Sequence, residues 1–360
     1  MVNKVIKRGS YWAAGPEIDI FEDCLKKYFN TNYAVTFNSG TSALHSVLLA
    51  YGITSGEVIV PSFTFISTAN CVILAGAKPI FAEIEENTLG LDPEDVKEKI
   101  NKKTKAIIPV HYGGKVCKNI KVLKEIAEDF KLILIEDAAE SFGAKAHDTF
   151  AGTFGNAGLF SFCQNKIITT GEGGAICTNN EKIDKKLRLI RSHGRVEQAG
   201  KNYFSDINEM DYIEIGYNFR ISTINAALGI AQLEKIDKII DLRRKVGKHY
   251  DEILKYVPEV QVIQELEGNR TVYQLYSVFL KYPKNRNELQ NFLLKNGIFT
   301  KIYFHPIHLK SYYRKKFGYR EGDFPITENI SNKTLSLPIS LHFNNEDQDY
   351  IVNRLKEFYS

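Results

Sequence analysis

Four apolar runs in the first half of the chain dictate what it can fold into. They are residues 57–61 (Glu-Val-Ile-Val-Pro), 78–84 (Lys-Pro-Ile-Phe-Ala-Glu-Ile), 105–111 (Lys-Ala-Ile-Ile-Pro-Val-His) and 131–137 (Lys-Leu-Ile-Leu-Ile-Glu-Asp). A strand with one wet face alternates apolar and polar residues. Near-continuous apolarity instead means burial on both faces, in a sheet sandwiched by helices. Helical patterns fall between the runs. In 41–51, Leu44 and Leu48 lie four apart, as do Val47 and Tyr51, giving one apolar face. Stretches 66–75 and 118–130 behave similarly, and 158–162 and 174–178 are two further strand candidates. The alternation predicts an α/β protein with a mostly parallel sheet.

A long helical stretch follows from about 222 to 256, with Leu228, Ile230, Leu233, Ile236 and Ile240 forming a stripe. Beyond 257 the character changes. Strand candidates at 272–280 and 298–303 mix with helices at 285–296 and 346–358, which reads as a smaller α+β domain. The expected division is a large α/β domain over 1–240 and a small C-terminal domain over 241–360. The segment 1–20 has no clear place in this pattern.

Composition excludes several function classes. The chain of 360 residues is 44% hydrophobic and 25% charged, ordinary for a soluble globular enzyme. A net charge of +4, without a basic run interleaved with aromatics, argues against nucleic acid. No secretory signal or membrane span is apparent. The five cysteines (Cys24, Cys71, Cys117, Cys163 and Cys177) are widely spaced and contain no CxxC pair. They read as free thiols in a cytoplasmic protein, and no metal site is expected.

The chemistry centres on Lys166. Phe160, Phe162, Ile167 and Ile168 flank it, and Gly171, Gly173 and Gly174 follow. A lysine kept from water has a lowered pKa, and a neutral amine can form a Schiff base with a carbonyl. Cys163 borders this segment or is a small core residue. Four other segments place suitable groups at the ends of elements. Asn38-Ser39-Gly40-Thr41-Ser42 opens a helix, where free N–H groups and the Thr41 and Ser42 hydroxyls suit a phosphate; plain N-capping is the alternative. Asp137 ends an apolar strand, fit to pair with a protonated pyridine nitrogen or to cap the next helix. Glu140 follows three residues later. Phe65 closes Pro61-Ser62-Phe63-Thr64-Phe65, to stack on a planar ring or to fill core. Asn218 and Arg220, in Gly216-Tyr217-Asn218-Phe219-Arg220, lead into the long helix and suit an anion. An aldehyde partner for lysine, an acid for a ring nitrogen, an aromatic for a ring face and a helix end for a phosphate together specify pyridoxal phosphate.

With Glu136-Asp137-Ala138-Ala139-Glu140 and Ala226-Ala227-Leu228-Gly229, these segments resemble the DegT-type sugar aminotransferases. The similarity extends to His305-Pro306-Ile307-His308 and Leu335-Ser336-Leu337-Pro338. The resemblance implies an aspartate-aminotransferase-like fold (fold type I) and a homodimer with shared active sites. It implies Lys166 as the Schiff-base lysine and proton shuttle, Asp137 on the ring nitrogen and Phe65 on the ring. Thr41, Ser42 and Ser161 would hold the phosphate, and Asn218 and Arg220 would reach the neighbouring site. Glu140 stands where the family often has glutamine near the ring hydroxyl. His308 and Tyr312 resemble substrate-side residues. Relatives that dehydrate sugars carry histidine in place of the lysine, so Lys166 implies transamination. The expected reaction moves an amino group from L-glutamate to a ketosugar, linked to a nucleotide, in amino-sugar and surface-polysaccharide biosynthesis. Two alternatives stand beside it: action on a non-nucleotide ketone such as a cyclitol or free ketosugar, and a non-catalytic regulatory protein that binds the cofactor. Trp12, Tyr11 and the segment 190–215, with His193 and Arg195, are candidates for shaping the sugar pocket; packing or a surface loop is the alternative.

Overall fold

The computed structural model describes residues 1–196 and 211–360. Among the described residues, thirteen strands form three sheets. The large one joins β1 (Tyr33–Phe37), β2 (Glu57–Pro61), β3 (Lys78–Ala82), β4 (Thr104–Ile107), β5 (Ile133–Asp137), β8 (Ala157–Ser161) and β9 (Gly174–Thr178). β6 (Lys145–Ala146) and β7 (Thr149–Phe150) pair with β11 (Asn269–Arg270), while β10 (Val260–Val262), β12 (Tyr276–Leu280) and β13 (Thr334–Leu337) form the third sheet. The large sheet runs β1-β9-β8-β5-β4-β2-β3. From β3 to β8 its strands are parallel, and β9 lies antiparallel between β8 and β1. The four apolar runs are all parallel strands of this sheet, with one apolar cluster against each face.

Two runs end sooner than their apolarity predicts. β4 stops at Ile107 because Pro109 has no N–H for the ladder, although Val110 still bridges to Asp137. The run 298–303 forms no strand. It keeps a single bridge, Lys301 to Ser336, and Phe299 is 75% exposed, so this segment has too little to bury. The stretch 222–256 divides into helices Thr223–Leu233 and Ile236–Ile253, both packed on the large sheet through Leu233 and Ile236. The second helix continues into another core with Val246 and Tyr250, which pack with β12 and β13.

The N-terminal segment does find a place. Helix Glu17–Phe29 buries Phe21, Leu25 and Phe29, spaced four apart. Phe29 stacks on Phe160 at 4.2 Å between centroids, and Phe21 meets Phe162 at 5.3 Å. Glu22 on this helix is buried, which alone would raise its pKa. Arg191 at 2.6 Å and Arg188 at 2.8 Å overcome that and hold the carboxyl below its usual range. Among the described residues, no helix is long and apolar enough to cross a membrane.

Glu136 explains why an apolar strand ends in two acids. It is fully buried and accepts from His111 Nε2 (2.7 Å) and from the N–H groups of Gly152 (2.8 Å), Phe154 (2.6 Å) and Gly155 (2.7 Å). His111 Nδ1 accepts from Cys117 N–H at 3.0 Å, which leaves Nε2 as the donor. The loop before β8 is therefore tied to the end of β5 by one side chain. Glu136→Ala strands these donors in the core and is expected to cost roughly 3–5 kcal/mol. The check is a lower urea midpoint at unchanged slope; a cost under about 1 kcal/mol would show that the carboxylate does not hold this loop.

Candidate active site

Ligands of open α/β sheets lie at the carboxyl ends of the strands. Here β1, β2, β5 and β8 all deliver side chains to that edge. The register sets Phe37 opposite Gly174, and Gly174 opposite Ser161. The start of helix Gly40–Ala50 packs directly on this point. A Cβ added at Gly40 would lie 3.0 Å from Ser161 Cβ, and one at Gly174 would lie 2.6 Å from the Gly40 nitrogen. Glycine is needed at both positions for this approach. Ser39 caps the helix by accepting from Ser42 N–H at 3.0 Å, and its hydroxyl lies 2.9 Å from that of Ser42. Thr41 is exposed, so the helix end, two hydroxyls and Ser161 form a shallow donor-lined cradle.

Asp137 stands at the end of β5 with 5% exposure. Thr68 Oγ1 donates to its Oδ2 at 2.8 Å, and Ala139 N–H to its Oδ1 at 3.2 Å. Burial pushes its pKa up, and the hydrogen bonds and the Lys166 charge only partly offset that. Glu140 is also buried; Gly113 N–H donates to its Oε2 at 3.0 Å. Its other oxygen lies 3.5 Å from Lys166 Nζ. Asp137, Glu140 and Lys166 are thus one electrostatic cluster.

The loop carrying Lys166 is held from several sides. Phe162 N–H donates to Gly173 O, and Thr170 N–H to Phe162 O, both at 2.9 Å. Gly171 turns the chain at φ 81°, and Thr170 Oγ1 donates to Glu172 O at 2.7 Å. Gln274, from the approach to β12, donates through Nε2 to Asn165 O at 2.7 Å. Asn225 donates to Glu172 O at 3.0 Å. The side chain of Lys166 is 14% exposed between buried Phe162 and Ile167. Cys163 sits at the edge of the loop, with Sγ 3.6 Å from Glu172.

The other expected residues spread more widely. Phe65 is 58% exposed beyond β2, at the mouth of the edge. Asn218 is exposed and bridges to Ser192, and Arg220 Nη1 donates to Ser192 Oγ at 3.2 Å. Trp12 is half exposed, and its carbonyl accepts from Thr223 N–H at 2.7 Å. Tyr312 is half exposed and packs on Tyr313. None of these five has a described contact with Lys166. His193 and Arg195 pack beside this region, but residues 197–210 of the expected pocket segment lie outside the described residues.

His308 lies deeper than the substrate-side place the resemblance implies. Its ring is fully buried, with Nδ1 2.7 Å from Ser62 Oγ and Nε2 3.0 Å from Glu328 Oε1. It anchors the β2 loop that leads to Phe65. The sequence motif marked a residue of consequence, but spacing alone does not tell a buried support from a ligand.

Comparison with known proteins agrees with this geometry. Residues 1–356 match the DegT/DnrJ/EryC1/StrS aminotransferase family. The chain is 36% identical to GDP-perosamine synthase of Vibrio cholerae, covering 100% of this chain and 95% of that protein. It is 33% identical to the spore coat polysaccharide biosynthesis protein SpsC of Bacillus subtilis, covering 99% and 92%. Among solved structures, DesV of S. venezuelae in complex with a ketimine intermediate superposes with a TM-score of 0.90 at 30% identity, covering 99% of this chain and 92% of that one. By sequence match along nearly its whole length, the chain belongs to the DegT/DnrJ/EryC1/StrS aminotransferase family.

Proposed function

We propose that this chain uses pyridoxal phosphate to move an amino group from L-glutamate to a ketosugar linked to a nucleotide, in amino-sugar biosynthesis for polysaccharides. One observation carries the reading: Lys166 Nζ lies 3.5 Å from buried Glu140, in the same cluster as the still more buried Asp137. The names of the relatives, GDP-perosamine synthase and a polysaccharide biosynthesis protein, support the substrate class.

The residues present fit the cofactor. A carboxylate as buried as Asp137, on which Lys166 is the one cation that acts among the described residues, gains most from a positive ring nitrogen placed against it. The cradle of Gly40, Thr41, Ser42 and Ser161 suits a phosphate, and Phe65 offers an aromatic face. When bound, pyridoxal phosphate supplies an electron sink for the charge left at the substrate carbon. Lys166 would hold the aldehyde at rest and, once the donor's amine had displaced it, its freed Nζ would take the proton from the donor's α-carbon and later return one to the acceptor carbon. Asp137 keeps the ring nitrogen protonated. Glu140 steadies the ammonium form of Lys166 between these transfers. Asn218 and Arg220 serve the neighbouring site of a homodimer, and Trp12 and Tyr312 border the sugar.

Lys166→Ala should lower turnover by about 10²–10⁴-fold, the range for a positioned acid–base group, and abolish borohydride labelling at this residue. Labelling at another lysine in the cofactor-saturated protein would refute its role. Glutamate should shift the absorbance of the bound cofactor to that of the amine form and release 2-oxoglutarate; an unresponsive spectrum would favour the regulatory reading. A panel of nucleotide-linked and free ketosugars, read by mass spectrometry, separates the proposed substrate from a cyclitol or free sugar.

Asp137 makes a pH prediction. Its folded pKa is raised, so its contribution to stability is full below the ordinary carboxylate pKa of about 3.9 and is lost as pH rises through the raised value. Cofactor-free Asp137→Asn lacks this loss. Its melting temperature should gain on that of the cofactor-free parent as pH rises from about 4 to 8. Parallel melting curves across this range would show that the carboxyl is not strained in the free protein.

A further inference from the structure

Helix Ser67–Leu74 touches three of the parts expected to meet the cofactor, although the sequence pointed to none of its residues. Thr68, in its first turn, makes two of these contacts. Its Oγ1 donates to Asp137 Oδ2 at 2.8 Å, and its N–H donates to Phe65 O at 3.2 Å. Three residues on, Cys71 donates through Sγ to Thr41 O at 3.4 Å, in the helix end of the phosphate cradle. The acid, the aromatic and the cradle therefore share one short support.

Behind Thr68 stands a second hydroxyl. Thr64 Oγ1 lies 3.0 Å from Thr68 Oγ1, and both threonines are buried. A hydroxyl carries one proton, and an ionised carboxylate only accepts. The proton of Thr68 is committed to Asp137, so Thr64 is the donor to Thr68. The hydroxyls form a chain with one direction, from Thr64 through Thr68 to Asp137, and each donation polarises the next bond. The segment that carries Thr64 is itself fixed, because Ser62 Oγ lies 2.7 Å from His308 Nδ1. The terminal torsion of an aspartate is broad, so its carboxyl turns easily unless held. Thr68 on Oδ2 and Ala139 N–H on Oδ1, at 3.2 Å, leave it one setting. Burial raises the pKa of Asp137, and the Thr68 bond opposes this ahead of Ala139 N–H and the Lys166 charge, while Glu140 adds to the rise.

We propose that Thr68 is a positioning residue for the reaction: its hydroxyl, backed by that of Thr64, fixes the rotation of the Asp137 carboxyl and keeps the proton that Asp137 shares with the cofactor on the ring nitrogen. The inference rests on the pyridoxal phosphate reading above. A shared proton sits on the stronger of the two bases. A donor on the carboxylate oxygen favours the ionised carboxyl and makes it the weaker base, so the proton stays on the ring. A protonated ring is the better sink for charge from the substrate carbon. Thr68 acts through Asp137 and has no need to touch the cofactor itself.

The test reads that proton directly. Protein saturated with pyridoxal phosphate carrying nitrogen-15 in its ring is compared by magnetic resonance at one pH, where the ring resonance reports the protonated share. Thr68→Val keeps the N–H and nearly the shape but removes the hydroxyl. It should lower the ratio of ring-protonated to carboxyl-protonated forms by about tenfold, the worth of a hydrogen bond to a charged group, and move the resonance toward that of neutral pyridine. Thr68→Ser, which restores the hydroxyl, should keep the parent's resonance. Thr64→Val should move it in the same direction as Thr68→Val, by less. A parent-like resonance in Thr68→Val overturns the inference. So does a shift in Thr68→Ser as large as in Thr68→Val, which would assign the effect to packing. Should Thr68→Val fail to fold, an unmoved resonance in Thr64→Val overturns it instead. A parent with a protonated ring and variants that match it sinks this inference alone. A parent that holds no pyridoxal phosphate sinks the reading beneath it.

Discussion

The end of β5 is the point on which the rest of the site depends. Successive strand residues face opposite sides of a sheet, so Glu136 and Asp137 cannot share a task. Glu136 turns to one side and binds three backbone N–H groups of the loop before β8, together with His111. Asp137 turns to the other and lies with Thr68, Glu140 and Lys166. The first carboxylate sets where β8 begins, and β8 sets where the lysine loop begins. A structural acid and a chemical acid are thereby held one residue apart on the same rigid strand.

The lysine itself is positioned by distant parts of the chain. Gln274 reaches Asn165 from the approach to the small sheet, and Asn225 reaches Glu172 from the helix beyond the segment 211–222. Close backbone approach at Gly40 and Gly174 brings the helix Gly40–Ala50 onto Ser161. These contacts couple the proposed phosphate cradle to the lysine loop through packing at van der Waals distance.

Much of this was legible in the residues. The apolar runs announced a sheet buried on both faces, and Asp137 sits at the strand end where the pattern put it. Other parts were not. Helix Glu17–Phe29 was hidden because Glu22, Asp23, Lys26 and Lys27 dilute the spacing of Phe21, Leu25 and Phe29. The run 298–303 looked like a strand because apolarity was counted without knowing that Phe299 has nothing to pack against. The role of Glu136 was hidden, since its three N–H partners come from a loop some sixteen to nineteen residues away. The burial of His308 was hidden too, since Glu328 and Ser62 meet it only after folding.

By itself the sequence determined the class of the sheet and singled out the amine of Lys166 and the carboxylate of Asp137 as candidates. These depend on local facts: apolar periodicity, and the few residue types able to do the chemistry. Tertiary structure alone decided which buried acid supports a loop and which faces the amine, and that the ring of His308 is buried between Ser62 and Glu328. Among the described residues, it alone left Gln274 Oε1 buried without a partner. Burial, unsatisfied hydrogen bonds and the pairing of charges are properties of residues far apart in the chain, and they take a value only once the chain has closed around them.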